Sequence, residues 1–443
     1  MDLKLSAVAA MLGVPFAGRD APVLRVSTDS RNILPGDLFI ALRGEKFDGG
    51  AYAEDALRQG AAGAVLDRAQ APGVTQAIRV DDTRLALGRL AAAWRARFDL
   101  PVVGLTGSNG KTTVKEMLAA ILCVETGDPA AVLATEGNLN NDVGVPQMLL
   151  RLRPQHRFAV FEMGMNHAGE IDYLTRLARP DVALVNNALT AHIGNLGSVE
   201  AIARAKGEIF NGLSDAGIAV INADDPHAPL WRKANAHRVV VDFGQHADAR
   251  VRGEIETQTF GSRLVIHLPN ARLDIDLAMP GAHNAMNALA AAALAFTLDV
   301  DLRSIVDGLT AFTGVKGRLQ RKPALRGSTL IDDTYNANPD SVKAALAVLA
   351  AQPGRKILVL GDMGELGQEA AAMHAQIGAA ARQAGIDRLL ALGELTKETV
   401  GAFGHGATHF ERIEALLAEL ETALDADTTV LVKGSRFMKM ERV

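Results

Sequence analysis

Residues 102–113 read Val-Val-Gly-Leu-Thr-Gly-Ser-Asn-Gly-Lys-Thr-Thr, an apolar run that passes into a glycine-rich turn. The stretch after it, Val114 to Leu122, repeats its apolar residues at helical spacing. Strand, glycine turn and helix in that order build a phosphate cradle. Glycines let backbone N–H groups crowd round an anion, and the helix N-terminus adds the positive end of its dipole. Gly107, Ser108, Asn109, Gly110, Lys111, Thr112 and Thr113 are therefore the candidates for nucleotide phosphate, with Lys111 reaching the terminal phosphates and Thr112 offering a hydroxyl to Mg²⁺. The longer P-loop pattern asks for glycine where this chain has Leu105, so the turn is the short Gly-x-x-Gly-Lys-Thr form. The alternative is a plain glycine-rich turn with an exposed lysine, and the flanking strand and helix weigh against it.

Outward from that turn, strands alternate with helices. Val102–Leu105, 158–163, 182–186 and Ile218–Asn222 read as strands, which predicts a largely parallel sheet with helices on both faces. Polar residues gather where these strands end: Glu162, Asn186, Asn187, Asn222 and Asp224. Open α/β sheets bind ligands at the carboxyl ends of their strands. Before Pro101, residues 37–42 and 62–66 read as buried strands around a helix near 52–59, and a helix runs over 83–98. Residues 250–279 alternate apolar and polar, as antiparallel hairpins do, and an alanine-rich helix covers 282–298. Gly314–Gly317 reads as a hinge. Beyond it, Ile357–Leu360, Arg388–Leu392 and 429–432 read as parallel strands. The expected fold is α/β in three domains: 1–100, then 101–313 as a central P-loop mononucleotide-binding parallel sheet, then 314–443 as a Rossmann-like C-terminal domain. Gly361-Asp-Met-Gly-Glu-Leu-Gly follows a strand, but its glycines fall at Gly-x-x-Gly-x-x-Gly, which is not the dinucleotide spacing.

At 443 residues the chain exceeds one ordinary core, in keeping with several domains. A net charge of −5 gives no footprint for nucleic acid. The single cysteine, Cys123, excludes an internal disulfide, fits a reducing compartment and reads as core packing. Met1 to Val14 has helical spacing but no signal-peptide core, and no apolar run spans a bilayer, so a cytoplasmic protein without membrane insertion is expected.

A P-loop lysine alone does not separate kinase, GTPase and ligase. Four further segments do: Phe161-Glu-Met-Gly around Glu162, Asn186-Asn-Ala-Leu-Thr-Ala-His-Ile-Gly with His192, Ala203-Arg-Ala-Lys-Gly-Glu-Ile with Lys206, and Gly281-Ala-His-Asn-Ala-Met-Asn with Asn284 and Asn287. With the phosphate turn, and in this order along the whole chain, they resemble the ATP-dependent Mur ligases of peptidoglycan synthesis. Ser27-Thr-Asp-Ser-Arg and Gly36-Asp-Leu-Phe-Ile-Ala-Leu-Arg-Gly resemble that family's UDP-sugar-binding segment. Asp332-Asp-Thr-Tyr-Asn-Ala-Asn-Pro-Asp-Ser and Val432-Lys-Gly-Ser-Arg resemble the branch that adds D-alanyl-D-alanine. The Asp-Asn-Pro-Arg motif of the diamino-acid-adding branch is missing, as is the Asn-Lys-x-Asp of a switch GTPase. Relatives often carry His where this chain has Gly50.

The resemblance implies an ATP-dependent amide ligase. Its substrates would be UDP-N-acetylmuramoyl-tripeptide and D-alanyl-D-alanine, its cofactor Mg²⁺, and its state monomeric. It assigns catalysis to Lys111, Lys206, His192 and Glu162. Thr112, Glu162, His192 and Lys206, the last as a carbamate, would ligate the metal. Asn284 and Asn287 would take the adenine, Arg318 the nucleotide on closure of the third domain, and Asp333 the ribose. Ser30 and Arg31 would hold uridine diphosphate, and the polar loop Asn140, Asn141 and Asp142 would face the UDP-sugar. Each has a plainer reading. Lys206 is a helix-surface lysine pairing with Glu200 or Glu208; Glu162 is a strand-end cap; His192 is a loop histidine; Asn284 and Asn287 cap a helix; Ser30 and Arg31 make an ordinary turn.

Overall fold

The computed structural model describes residues 1, 3–44, 47–191 and 193–443. Three larger sheets organise the described residues, beside a two-stranded pairing of Leu3–Lys4 with Pro22–Val23. The N-terminal one has four parallel strands in the order Arg25–Ser27, Asp37–Ile40, Gly63–Asp67 and Ala77–Val80. The central one has nine. Its parallel part places Val102–Thr106 between Val182–Val185 and Phe158–Glu162, so successive crossovers leave that strand in opposite directions. The phosphate turn thus stands at a topological switch point, where the loops diverge and leave a crevice. The segment read as hairpins is a three-stranded antiparallel meander, Val251–Gln258, Gly261–Leu268 and Ala271–Leu277, that extends this same sheet.

The C-terminal sheet has six strands: Gln320–Pro323, Thr329–Asp333, Thr428–Lys433, Arg355–Gly361, Arg388–Leu392 and Ala407–Phe410. All but the first run parallel. The carboxyl ends of Thr329–Asp333 and Thr428–Lys433 present Asp333 and Lys433 side by side. Buried parallel strands read as continuous apolar runs, which is why they were legible. Val132–Ala134, three residues at a sheet edge, and Val239–Gly244, whose first residue is exposed, carry too little pattern to be read.

Helix Thr83–Arg95 joins the first two units. Its Asp82 cap accepts from Arg84 and Leu85 N–H, and its buried face shares one apolar core with the central sheet. Trp94 Nε1 donates to Leu152 O, and Arg95 donates to the carbonyl of Ala178 at the end of helix Glu170–Ala178. The alanine-rich helix Ala282–Thr297 is buried along most of its length. Its small side chains let it lie against helix Lys111–Thr126 and the sheet within the second core. Cys123 departs from expectation: it sits near the end of helix Lys111–Thr126 on a half-exposed face, not in the core, because the helix has turned that position away from the sheet. No described helix is long and apolar enough to cross a membrane.

Candidate active site

A cleft of about 970 Å³ opens at the carboxyl ends of the central strands and is roofed by the C-terminal sheet. Its floor is the phosphate turn. Gly110 has φ +82°, and a Cβ there would lie 2.2 Å from Asn287 Oδ1, so both conformation and space demand glycine. Helix Lys111–Thr126 starts immediately after it. Lys111 Nζ donates back to the carbonyls of Gly107 (2.7 Å) and Ser108 (3.4 Å). Burial pulls the Lys111 pKa below the usual lysine range, while Glu162 opposes that pull.

Glu162 is buried and held at both oxygens: Thr112 Oγ1 donates to Oε2 and Asn140 Nδ2 to Oε1, each at 2.8 Å. Its backbone N–H donates to Thr135 Oγ1, and the buried Lys115 ammonium donates to the Thr135 carbonyl. This exceeds what a strand-end cap needs. A Thr hydroxyl beside a fixed carboxylate is a hard-oxygen pair. It fits Mg²⁺, which takes one or two protein oxygens and fills its octahedron with phosphate and water. Among the described residues no three His, Cys, Asp or Glu side chains stand together as a metal cluster.

Lys206 overturns the surface reading. It lies in helix Val199–Gly207 at 1% exposure. Glu200 pairs instead with Arg204, and Glu208 accepts from the Gly169 and Asp172 N–H groups. Burial, with the Lys111 charge beside it, pushes the Lys206 pKa well below the ordinary lysine value. A lysine held toward its neutral amine is the form that reacts with CO₂.

The C-terminal sheet closes over this floor. Arg318 leaves the Gly314–Gly317 turn, where both glycines have positive φ, and its Nη2 donates to Thr112 Oγ1 at 2.9 Å. Its guanidinium lies 4.4 Å from the Tyr335 ring centroid, and its buried Nε has no partner among the described residues. Asp333 lines the cleft and pairs with Lys433 at 2.5 Å. Burial raises the Asp333 pKa against the pull of Lys433. His283 also faces the cleft, and burial, with Lys433 near it, lowers its pKa to about 4, so the imidazole is neutral at physiological pH.

Asn284 and Asn287 do not cap their helix. Asn284 Nδ2 donates to Pro280 O, and Asn287 Oδ1 accepts from Asn186 Nδ2, which also donates to Asn109 O. Buried amides thus tie the alanine-rich helix to the strand end and the phosphate turn. Asn140 and Asn141 both line the cleft; Asn141 Oδ1 accepts from the Val143 and Gly144 N–H groups in the turn before helix Gly144–Leu149, while Asn140 reaches Glu162. Ser30 and Arg31 are not brought to the cleft. They form an exposed turn in which Arg31 grips Asp29, and the neighbouring Thr28 accepts from Gln147 of the central unit. His192 lies outside the described residues. Sequence reasoning gave no role to Lys433, Tyr335, Asn186 or His283, although each stood in a quoted motif or at a strand end.

Three family models match in succession: the Mur ligase family catalytic domain over residues 23–95, the Mur ligase middle domain over 105–295, and the Mur ligase glutamate ligase domain over 317–436. The UDP-N-acetylmuramoyl-tripeptide–D-alanyl-D-alanine ligase of Escherichia coli (strain K12) is 43% identical, covering all of this chain and 98% of its own length. The chain belongs to the Mur ligase family. Its fold is similar to a crystal structure of MurF from Acinetobacter baumannii, with TM-score 0.90 and 37% identity over 98% of this chain and 97% of that one. It is also similar to MurF ligase from Thermotoga maritima in complex with ADP, with TM-score 0.84 and 27% identity over 95% and 96%. The three-domain α/β Mur ligase fold expected from the sequence is therefore the one present.

Proposed function

We infer that this chain is an ATP-dependent amide ligase that joins D-alanyl-D-alanine to UDP-N-acetylmuramoyl-tripeptide through an acyl phosphate. The observation that carries the reading is the contact of Arg318, from the C-terminal sheet, with Thr112, which itself donates to Glu162. It supports a phosphoryl-transfer site sealed between two units, as an intermediate that water would destroy requires. The choice of substrates rests on the full-length likeness to ligases of that name.

The three units are taken as 1–100, 101–313 and 314–443. ATP lays its phosphates on 107–113, with adenine toward Asn284 and Asn287 and ribose toward Asp333. Ser30 and Arg31 hold the UDP end, and the peptide runs along Asn140 and Asn141. Thr112, Glu162, His192 and carbamylated Lys206 would hold Mg²⁺, which supplies charge neutralisation at the phosphates. The tripeptide carboxylate attacks the γ-phosphorus and ADP leaves. Lys111 swings from its carbonyls to the transferring phosphoryl oxygens, and Arg318 stabilises the same charge. The free amine of the dipeptide then attacks the acyl carbon, and the tetrahedral intermediate collapses to amide and phosphate. ATP and UDP-linked precursors share the cytoplasm, where the enzyme works as a monomer.

The test is phosphate release from ATP with the UDP-tripeptide, with and without D-alanyl-D-alanine, alongside product mass. Release that needs both substrates, with a UDP-pentapeptide mass, is expected. Release with ATP alone, or a product formed from a free diamino acid, overturns the reading.

A further inference from the structure

The loop Gly361–Gly367 lacks the glycine spacing of a dinucleotide site, and its residues Gly364, Glu365 and Leu366 line the cleft. Its backbone lies against the short helix Ile193–Leu196 of the central unit, where Gly194 N–H donates to Glu365 O at 3.1 Å. A Cβ at Gly194 would stand 2.6 Å from Gly367 N and 2.8 Å from Glu365 O, both backbone atoms. Glu365, a non-glycine residue, holds φ +62° to make this approach. A second contact lies at Thr190. Asp340, in the first turn of helix Pro339–Ala350, accepts from both Thr190 N–H (2.9 Å) and Thr190 Oγ1 (2.5 Å) through one oxygen.

Residues 187–189, just before Thr190, also brace the phosphate turn from within. Asn109 N–H donates to Asn187 Oδ1, and Leu189 N–H to Ser108 Oγ. One stretch of chain therefore touches the nucleotide loop on one side and the closing unit on the other.

We propose that Asp340 and the Gly361–Gly367 loop form a two-point clasp coupling closure of the C-terminal unit to the placement of residues 186–191 and of helix Ile193–Leu196. In it Asp340 is a positioning residue acting through Thr190. The proposal rests on the ligase reading for its consequence, while the clasp itself is a property of closure. Open, residues 186–191 and helix Ile193–Leu196 lose two anchors and the phosphate turn loses its brace; closed, both return together.

Gly194→Ala places a wedge in the closed seam yet suits the helix of the open form, and Asp340→Ala removes the acceptor. Each should lower kcat by roughly 10- to 100-fold, the effect of losing hydrogen bonds to a charged partner. KM for the UDP-tripeptide should stay within about threefold, because its nucleotide end binds far from the seam. Asp340→Asn keeps one acceptor oxygen and should recover part of the loss. Small-angle scattering with a non-hydrolysable ATP analogue should record compaction of the parent and little in Gly194→Ala. The clasp is overturned if Gly194→Ala and Asp340→Ala turn over like the parent, if Asp340→Asn is no better than Asp340→Ala, or if the variants compact normally. Should Gly194→Ala fail to fold, the Asp340 pair decides. A parent that makes no product sinks the ligase reading, while scattering still judges the clasp.

Discussion

Replacing Gly110 by alanine tests the geometry of the phosphate turn most directly. Residue 110 sits at φ +82°, a left-handed conformation that costs a side-chain-bearing residue about 1–2 kcal/mol. The new methyl would also lie 2.2 Å from Asn287 Oδ1 and 2.6 Å from Asn186 Nδ2. Both amides are buried and bonded to each other at 3.0 Å, and Asn186 bonds on to Asn109 O. Relieving the overlap breaks at least one of these bonds and strands a buried amide, worth about 1–3 kcal/mol. The native turn thus becomes roughly 2–5 kcal/mol less favourable, and nucleotide binding must restore it. ATP affinity should fall about 30-fold or more. Isothermal titration of the variant with ADP and ATP measures this, and a melting curve of the free protein shows how much strain it retains. Binding within about threefold of the parent, with an unchanged melting temperature, would refute the account of this turn.

Lys206→Met should abolish ligation yet stabilise the metal-free fold. The folded-state lysine pKa is depressed, so a buried ammonium costs stability at every pH below the unfolded value of 10.5. Removing it should add roughly 1–3 kcal/mol at pH 7 in CO₂-free buffer, a gain that shrinks as pH rises toward 10.5; denaturant melts at both pH values check the sign. Glu162→Gln leaves one amide oxygen to satisfy two donors, Thr112 and Asn140, and should raise the Mg²⁺ concentration for half-maximal activity by about tenfold or more. A Mg²⁺ titration of phosphate release reads it. Arg318→Lys keeps the charge but loses the stack on Tyr335, and should lower kcat by about 10- to 100-fold with an unchanged melting temperature. A parent-like kcat would sink the closure role of Arg318.

What the sequence alone determined is local. The strand, glycine turn and helix at 102–126 announce themselves because each depends on neighbours in the chain: period, positive φ and helix dipole. The same holds for the buried parallel strands, and the polar residues just past them marked the face on which the cleft opens. Family likeness, carried by motifs in order, named the other site residues. Tertiary structure decided what distance along the chain hides. Lys206 reads as a surface lysine because a helix periodicity cannot say which neighbour will bury it; only the packing of its helix into the central core removes its water. Asp333 and Lys433 lie 100 positions apart and become an ion pair because two parallel strands end together. Arg318 reaches Thr112, 206 positions away, only when the third sheet folds down on the phosphate turn. Charge, burial and reach at this site are properties of the closed arrangement, so they could be read only once its parts were in contact.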